Sequence, residues 1–179
     1  QNMPKLEPTY LRYVYDGLNK GSLNAENASA LPQGFIGLYE QEFTQKTLVS
    51  ERKKVLNQLA LWALFKGPVS ANLASAVLEI DEGQIKSLID RYSSWFNSPE
   101  SGKYQLYHER IKVFLLSKTN DSLIELNTES IISFCKQVLK KSSDYLTEFV
   151  EFSLKYYSSH LYDLTFFKPK YYKELKSYS

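Results

Sequence analysis

The chain has 179 residues, of which 43% are hydrophobic and 23% charged, with 7 glycines and 6 prolines; disorder, collagen-like repeats and low-complexity linkers are excluded. Its net charge of +2, from 22 basic and 20 acidic residues, is weak for a chain that lives on nucleic acid. One cysteine, Cys135, excludes an internal disulfide framework and suits a reducing compartment. No stretch approaches the roughly 18 apolar residues that cross a bilayer and no signal peptide precedes Pro4, so a cytoplasmic globular protein is expected.

The first predicted helix opens at Pro8 and carries Leu11, Val14, Tyr15 and Leu18 on one face, with Gly17 and Gly21 near its end. A polar run from Ser22 to Ser29 reads as loop, and Leu31 to Phe35 turns into a second helix with Leu38, Phe43 and Leu48. From Ser50, a predicted N-cap, a helix over 51–66 is apolar around most of its girth and should be largely buried. Gly67-Pro68 stops it. Ser70 caps a short helix with Leu73, Ala74, Val77 and Leu78, and Asp81 caps a third with Ile85, Leu88 and Ile89 facing inward. Two apolar runs, Trp95-Phe96 and Tyr104 to Tyr107, flank a turn-rich Asn-Ser-Pro-Glu-Ser-Gly and predict a β-hairpin. A helix over 108–118 follows, with Ile111, Phe114 and Leu115 apolar.

Three helices followed by a two-stranded wing give the order of a winged helix-turn-helix, so the expected fold class is mainly α with a small β-hairpin wing. Beyond Asn120 two amphipathic helices, 128–141 and 144–164, joined through Ser142-Ser143, read as an αα-hairpin. Three segments result: 1–48, 49–119 and 120–179. Their net charges are close to neutral at both ends, with the basic surplus confined to the middle. Seven of the 14 tyrosines lie between Tyr145 and Tyr178. Tyr156, Tyr157, Tyr162, Tyr171 and Tyr172 are either the core of a helical pair or a surface that stacks on a further helical unit. Cys135, on an apolar face, reads as a small buried hydrophobe.

The inventory for catalysis is thin. His108 and His160 are far apart, no CxxC, HExxH or Gly-x-Ser-x-Gly motif occurs, and the phosphate-cradling GxxxxGK[ST] loop is absent, so no catalytic or metal residues are expected. His108 stands apart, because it falls where the second wing strand gives way to the next helix. Free N–H groups and the positive dipole end collect there, and an imidazole at that point could bind a phosphate. The alternative is a histidine that caps its own helix or is wedged under the hairpin. A DNA-reading surface on the third helix would comprise Glu82, Gln84, Lys86, Ser87, Asp90 and Arg91, with Glu100 and Lys103 at the wing tip. Bases and acids balance there, which argues against nucleic acid.

Several segments resemble the region that follows the ATPase core in STAND NTPases, the signal-transduction ATPases of the NACHT and NB-ARC type, particularly their bacterial members. "PTYLRYVYDGL" (Pro8 to Leu18) and "LPQGFIGLYEQEF" (Leu31 to Phe43) are similar to the helical lid. "RYSSWF…YQLYHERIKVFLL" (Arg91 to Leu116) is similar to the end of the winged helix, and "FSLKYYSSHL" (Phe152 to Leu161) to the stretch leading into the sensor repeats. The family's Ser-Phe after the winged-helix histidine is Arg110-Ile111 here, its Asp is Val113, and the glycine two positions before the lid proline is Leu6.

The resemblance implies a lid at 1–48, a winged helix at 49–119 and a helical adaptor at 120–179 in a non-catalytic regulatory fragment that holds a nucleotide-bound resting state. It implies His108 as a contact to the β-phosphate of ADP and Pro8 as a contact near the adenine. No cofactor belongs to the fragment itself; ADP or ATP belongs to the parent. The implied partners are an upstream ATPase core and downstream sensor repeats of the same polypeptide, with oligomerisation of the parent and no membrane. Bacterial defence or stress signalling is the implied setting. The competing expectation is a self-contained winged-helix regulator that binds DNA or protein.

Overall fold

In the computed structural model, which describes residues 8–19, 34–141, 147–168 and 176, the chain divides into two units, Gln1–Lys46 and Thr47–Ser179. The first contains helices α1 (Pro8–Asn19) and α2 (Gly34–Lys46). Proline at the first helical position suits α1, because its missing N–H would have no partner there. Gly34 enters α2 at a φ of +68°, a left-handed value that glycine takes without strain. Tyr10 meets the buried Phe35 edge-on with ring centroids 6.0 Å apart, and Phe35 stacks on Tyr39 at 6.1 Å. Tyr10, Val14 and Leu18, one helical turn apart, are half-buried, whereas Leu11 and Tyr15 are exposed. The inward stripe of α1 is therefore rotated from the one predicted. Leu48, assigned to α2 on its apolar spacing, lies beyond the helix and is exposed.

The second unit is mainly helical with a small three-stranded antiparallel sheet. Its elements are α3 (Arg52–Leu64), β1 (Val69–Ser70), α4 (Ala71–Leu78), α5 (Glu82–Arg91), β2 (Phe96–Glu100), β3 (Lys103–Leu106), α6 (Glu109–Lys118), α7 (Asp121–Lys141) and α8 (Glu148–Thr165). Ser50 is not the predicted cap. It sits inside a 3-10 turn, Val49–Glu51, and Glu51 precedes α3 without a side-chain cap. Every residue from Gln58 to Ala63 is buried, because α3 packs against α6 on one side and α7 on the other.

The other two predicted caps, Ser70 and Asp81, are where the sequence places them. Ser70 Oγ accepts from the Leu73 amide at 3.0 Å and Asp81 Oδ1 from the Gln84 amide at 3.3 Å. α7 begins at Asp121, seven residues before the predicted start, because Asn120 Oδ1 accepts from the Leu123 amide at 2.9 Å. α8 begins after Thr147, whose hydroxyl accepts from the Val150 amide. The predicted joint Ser142-Ser143, Tyr171 and Tyr172 lie outside the described residues.

The sheet order is β1-β3-β2. β2 and β3 form the predicted hairpin, with Phe96 opposite Leu106 and a bulge between Asn97 and Glu100. Pro99 is accommodated because β2 is an edge strand, which needs no amide donor on its open side. β1 was not predicted. Two residues carry no periodicity, and Val69 and Ser70 become a strand only by pairing with Tyr104 and Lys103.

One apolar core spans the predicted boundary at 119/120. Leu61, Trp62, Phe65, Val69, Leu73, Ala74, Ile85 and Ile89 pack with Ile131, Cys135, Phe152, Leu161 and Leu164. The buried thiol of Cys135 is pushed up to about 11 by its apolar surroundings, against a smaller opposing pull from the Ser153 hydroxyl. Elsewhere in the unit, Trp95 packs at a tilt against Tyr92 at 4.8 Å and meets Phe114 edge-on at 5.8 Å. Polar ties reinforce the join. The Ser70 amide and hydroxyl both donate to the Glu148 carboxylate, at 2.9 and 2.7 Å, so one serine caps α4 and tethers α8. Ser70→Ala should therefore cost about 2 kcal/mol of unfolding free energy in urea denaturation, above the ~1 kcal/mol of an isolated cap. A cost below that of an isolated cap would show that the tether contributes nothing.

Candidate functional site

His108 lies between β3 and α6 in an extended conformation, so its own backbone precedes the helix while its ring folds back over the first turn. Nδ1 accepts from the Arg110 amide at 3.1 Å, and its carbonyl accepts from the Ile111 amide at 3.0 Å. His108 is thus the N-cap of α6. The cap also sets the tautomer: with Nδ1 accepting, the neutral ring carries its proton on Nε2.

The ring lines a cleft of about 290 Å³ whose walls come from three places in the chain. Trp62 and Phe65 come from the end of α3, and Lys66 and Gly67 from the turn that follows. Gln105 to Tyr107 come from β3 and its exit, and Glu109 and Lys112 from α6. Lys112, four residues beyond His108 and inside α6, lines the same cleft. Lys66 bonds Asp163 of α8 at 2.5 Å, and Lys112 lies 3.5 Å from Glu109. The Trp62 indole is held edge-on by Phe65 and Phe96 at 5.6 and 5.1 Å, and it is buried. Its Nε1 has no acceptor among the described residues. A buried donor left unpaired costs about 1–3 kcal/mol, and Lys66 and Lys112 each keep N–H donors beyond the one their carboxylate takes.

Such a lining suits an anion. The volume falls just below that of sites for whole drug-sized ligands and is ample for a phosphate or diphosphate group. Among the described residues, no group of three or more His, Cys, Asp or Glu side chains could hold a metal ion. No described helix is long and apolar enough to cross a membrane.

Of the two sites suggested by sequence, the structure places His108 at the cleft wall. Pro8 is the first residue of α1 in the other unit, and its side chain lies outside what the structure describes. Sequence reasoning missed Trp62, Lys66 and Lys112. The spacing of His108 and Lys112 was a usable signal, whereas nothing local connects Trp62 to β3. The second histidine, His160, is buried beneath Lys66 and Asp163, with its ring 6.0 Å from Phe152. Burial, reinforced by Lys66 and partly opposed by Asp163, pulls it down to about 4.

The outward face of α5 is electrically spent. Lys86 pairs with Glu82 at 2.8 Å, Arg91 with Glu51 at 3.4 Å, and Lys54 donates to Gln84 at 3.1 Å. No protein-family model, curated protein or solved structure matches the chain.

Proposed function

We propose that this chain is a regulatory, non-catalytic part of a STAND-type signalling NTPase, placed after the ATPase core, and that residues 49–119 form its winged helix. The observation that carries the reading is the His108 cleft. A histidine at a helix N-terminus and two lysines, paired with Asp163 and Glu109 but each with further N–H donors, line a space that admits a phosphate. The order helix, strand, helix, helix, hairpin, with β3 central between β1 and β2, supports the winged-helix assignment. In this reading Nε2 of His108 donates to a phosphate oxygen of ADP, as the family resemblance implies, and Pro8 sits near the adenine. The nucleotide belongs to the parent ATPase core, and downstream repeats shift the balance between two states with different contacts. The setting is cytoplasmic signalling of the bacterial defence or stress type.

Pyrophosphate titrated into the chain at low salt should bind in the millimolar range and shift the Trp62 indole N–H resonance. His108→Gln should weaken that binding about tenfold, the equivalent of one charge-assisted hydrogen bond. Unchanged affinity in His108→Gln would reduce His108 to a helix cap. The alternative, a self-contained winged-helix regulator on DNA, requires affinity for duplex that falls steeply with salt, and the paired charges on α5 speak against it.

A further inference from the structure

A second cleft, of about 340 Å³, opens where α3, the C-terminal end of α4 and α7 come together, and its chemistry is the reverse of the first. Its single charged lining residue is Glu79, whereas lysine or arginine lines the clefts around His108, between α3 and α5, and beside the wing. Glu79 makes no ion pair among the described residues. The last turn of α4, Ala76 to Leu78, also lines the cleft. The carbonyl of Ser75 takes both the Glu79 and the Ile80 amides, and no described donor reaches the three carbonyls that follow. Terminal helix carbonyls carry the negative end of the dipole. Asn57 adds a side-chain oxygen, shielded from solvent, that accepts nothing. Its backbone carbonyl, in contrast, takes the Nδ2 donor of the buried Asn127. Acceptors therefore stand in excess, and Leu126 and Phe134 supply apolar surface at the same cleft.

Glu79 adopts φ 54° and ψ 42°, the left-handed conformation that closes a helix and that glycine takes without strain. A glutamate here forgoes backbone comfort and places a carboxylate at the cleft.

We propose that this cleft binds the guanidinium group of an arginine side chain presented by a partner peptide. A planar head with five N–H donors matches dispersed acceptors better than a compact ammonium does. The Glu79 carboxylate supplies the countercharge, and the α4 carbonyls and Asn57 Oδ1 take the remaining donors. The methylene stem lies along Leu126 and Phe134. The site is independent of the His108 cleft and of any nucleotide.

The test is a titration of the isotopically labelled chain with ethylguanidinium, following the amides of Asn57, Glu79 and Asn127, with uncharged N-ethylurea in parallel. Saturable shifts in the millimolar range are expected for ethylguanidinium and not for the urea. Glu79→Gly, which removes the carboxylate and relaxes the helix end, should raise the melting temperature while weakening binding about fivefold. Asn57→Ala should weaken it about tenfold. Equal response to the two probes, absence of saturation, or unchanged affinity in the folded Glu79→Gly protein would each overturn the assignment.

Discussion

Gly67→Ala should lower the unfolding free energy by about 2 kcal/mol, although it adds only a methyl group at a half-buried turn. A Cβ at this position would fall well inside van der Waals contact with the hydroxyl and ring edge of Tyr156 on α8. The tyrosine has little room to withdraw, since its ring lies 5.2 Å from that of Phe152 and under the Lys155 ammonium at 5.1 Å. Gly67 is one element of a short strip that reads α8 nearly residue by residue. Phe65 meets Phe152 edge-on at 5.7 Å, Lys66 bonds Asp163, and Ser70 bonds Glu148. A displaced Tyr156 therefore loosens the seat of the whole helix. In a Tyr156→Ala background the same methyl has room, and the added cost of Gly67→Ala should nearly vanish in denaturant unfolding. Equal costs in both backgrounds would show that the close approach is not what requires glycine.

Acidification should begin to destabilise the protein above the range where carboxylates titrate. His160 is almost fully buried, its Nε2 finds no hydrogen-bond partner among the described residues, and its folded-state value is about 4 against an ordinary 6.5. The unfolded state therefore binds a proton that the folded state refuses throughout this window. The contribution is fully present above about 6.5, falls as pH drops, and is exhausted below about 4. Each pH unit inside the window removes about 1.4 kcal/mol, for a total of roughly 3 kcal/mol. Urea midpoints measured from neutral to mildly acidic pH should show this slope, and His160→Leu should flatten it. A slope that survives in His160→Leu would assign the acid sensitivity to other groups. Because Lys66 faces both His160 and the His108 cleft, its departure from Asp163 would be felt at His160 as well.

Much of the helical layout was legible in advance. Ser70 and Asp81 as caps, the apolar girdle around Trp62, the hairpin after Trp95 and the position of His108 at a helix entrance all follow from residues within one turn of each other. The failures have equally physical reasons. Ser50 has the chemistry of a cap yet lies in a 3-10 turn, because a tight turn at Val49–Glu51 precedes α3. The inward face of α1 follows Tyr10, which finds Phe35 as a partner, rather than the more hydrophobic Leu11. The candidate site was half legible. His108 and Lys112 are close in sequence, but Trp62 joins them at the cleft only through the packing of α3 against β3.

The division of labour is consequently one of range. Composition, caps and helical periodicity act over three or four residues, and they determined by themselves which segments coil, where most helices start and, α1 excepted, which faces are greasy. Only the tertiary structure decided that Val69-Ser70 is a strand, that Glu148 holds Ser70 from 78 positions away, and that the last turn of α4 shares a cleft with Asn57. Those pairings are set by which surfaces are left over once the helices form. The solvation of an indole N–H or a helix-end carbonyl depends on what finally covers it, and no local pattern encodes that.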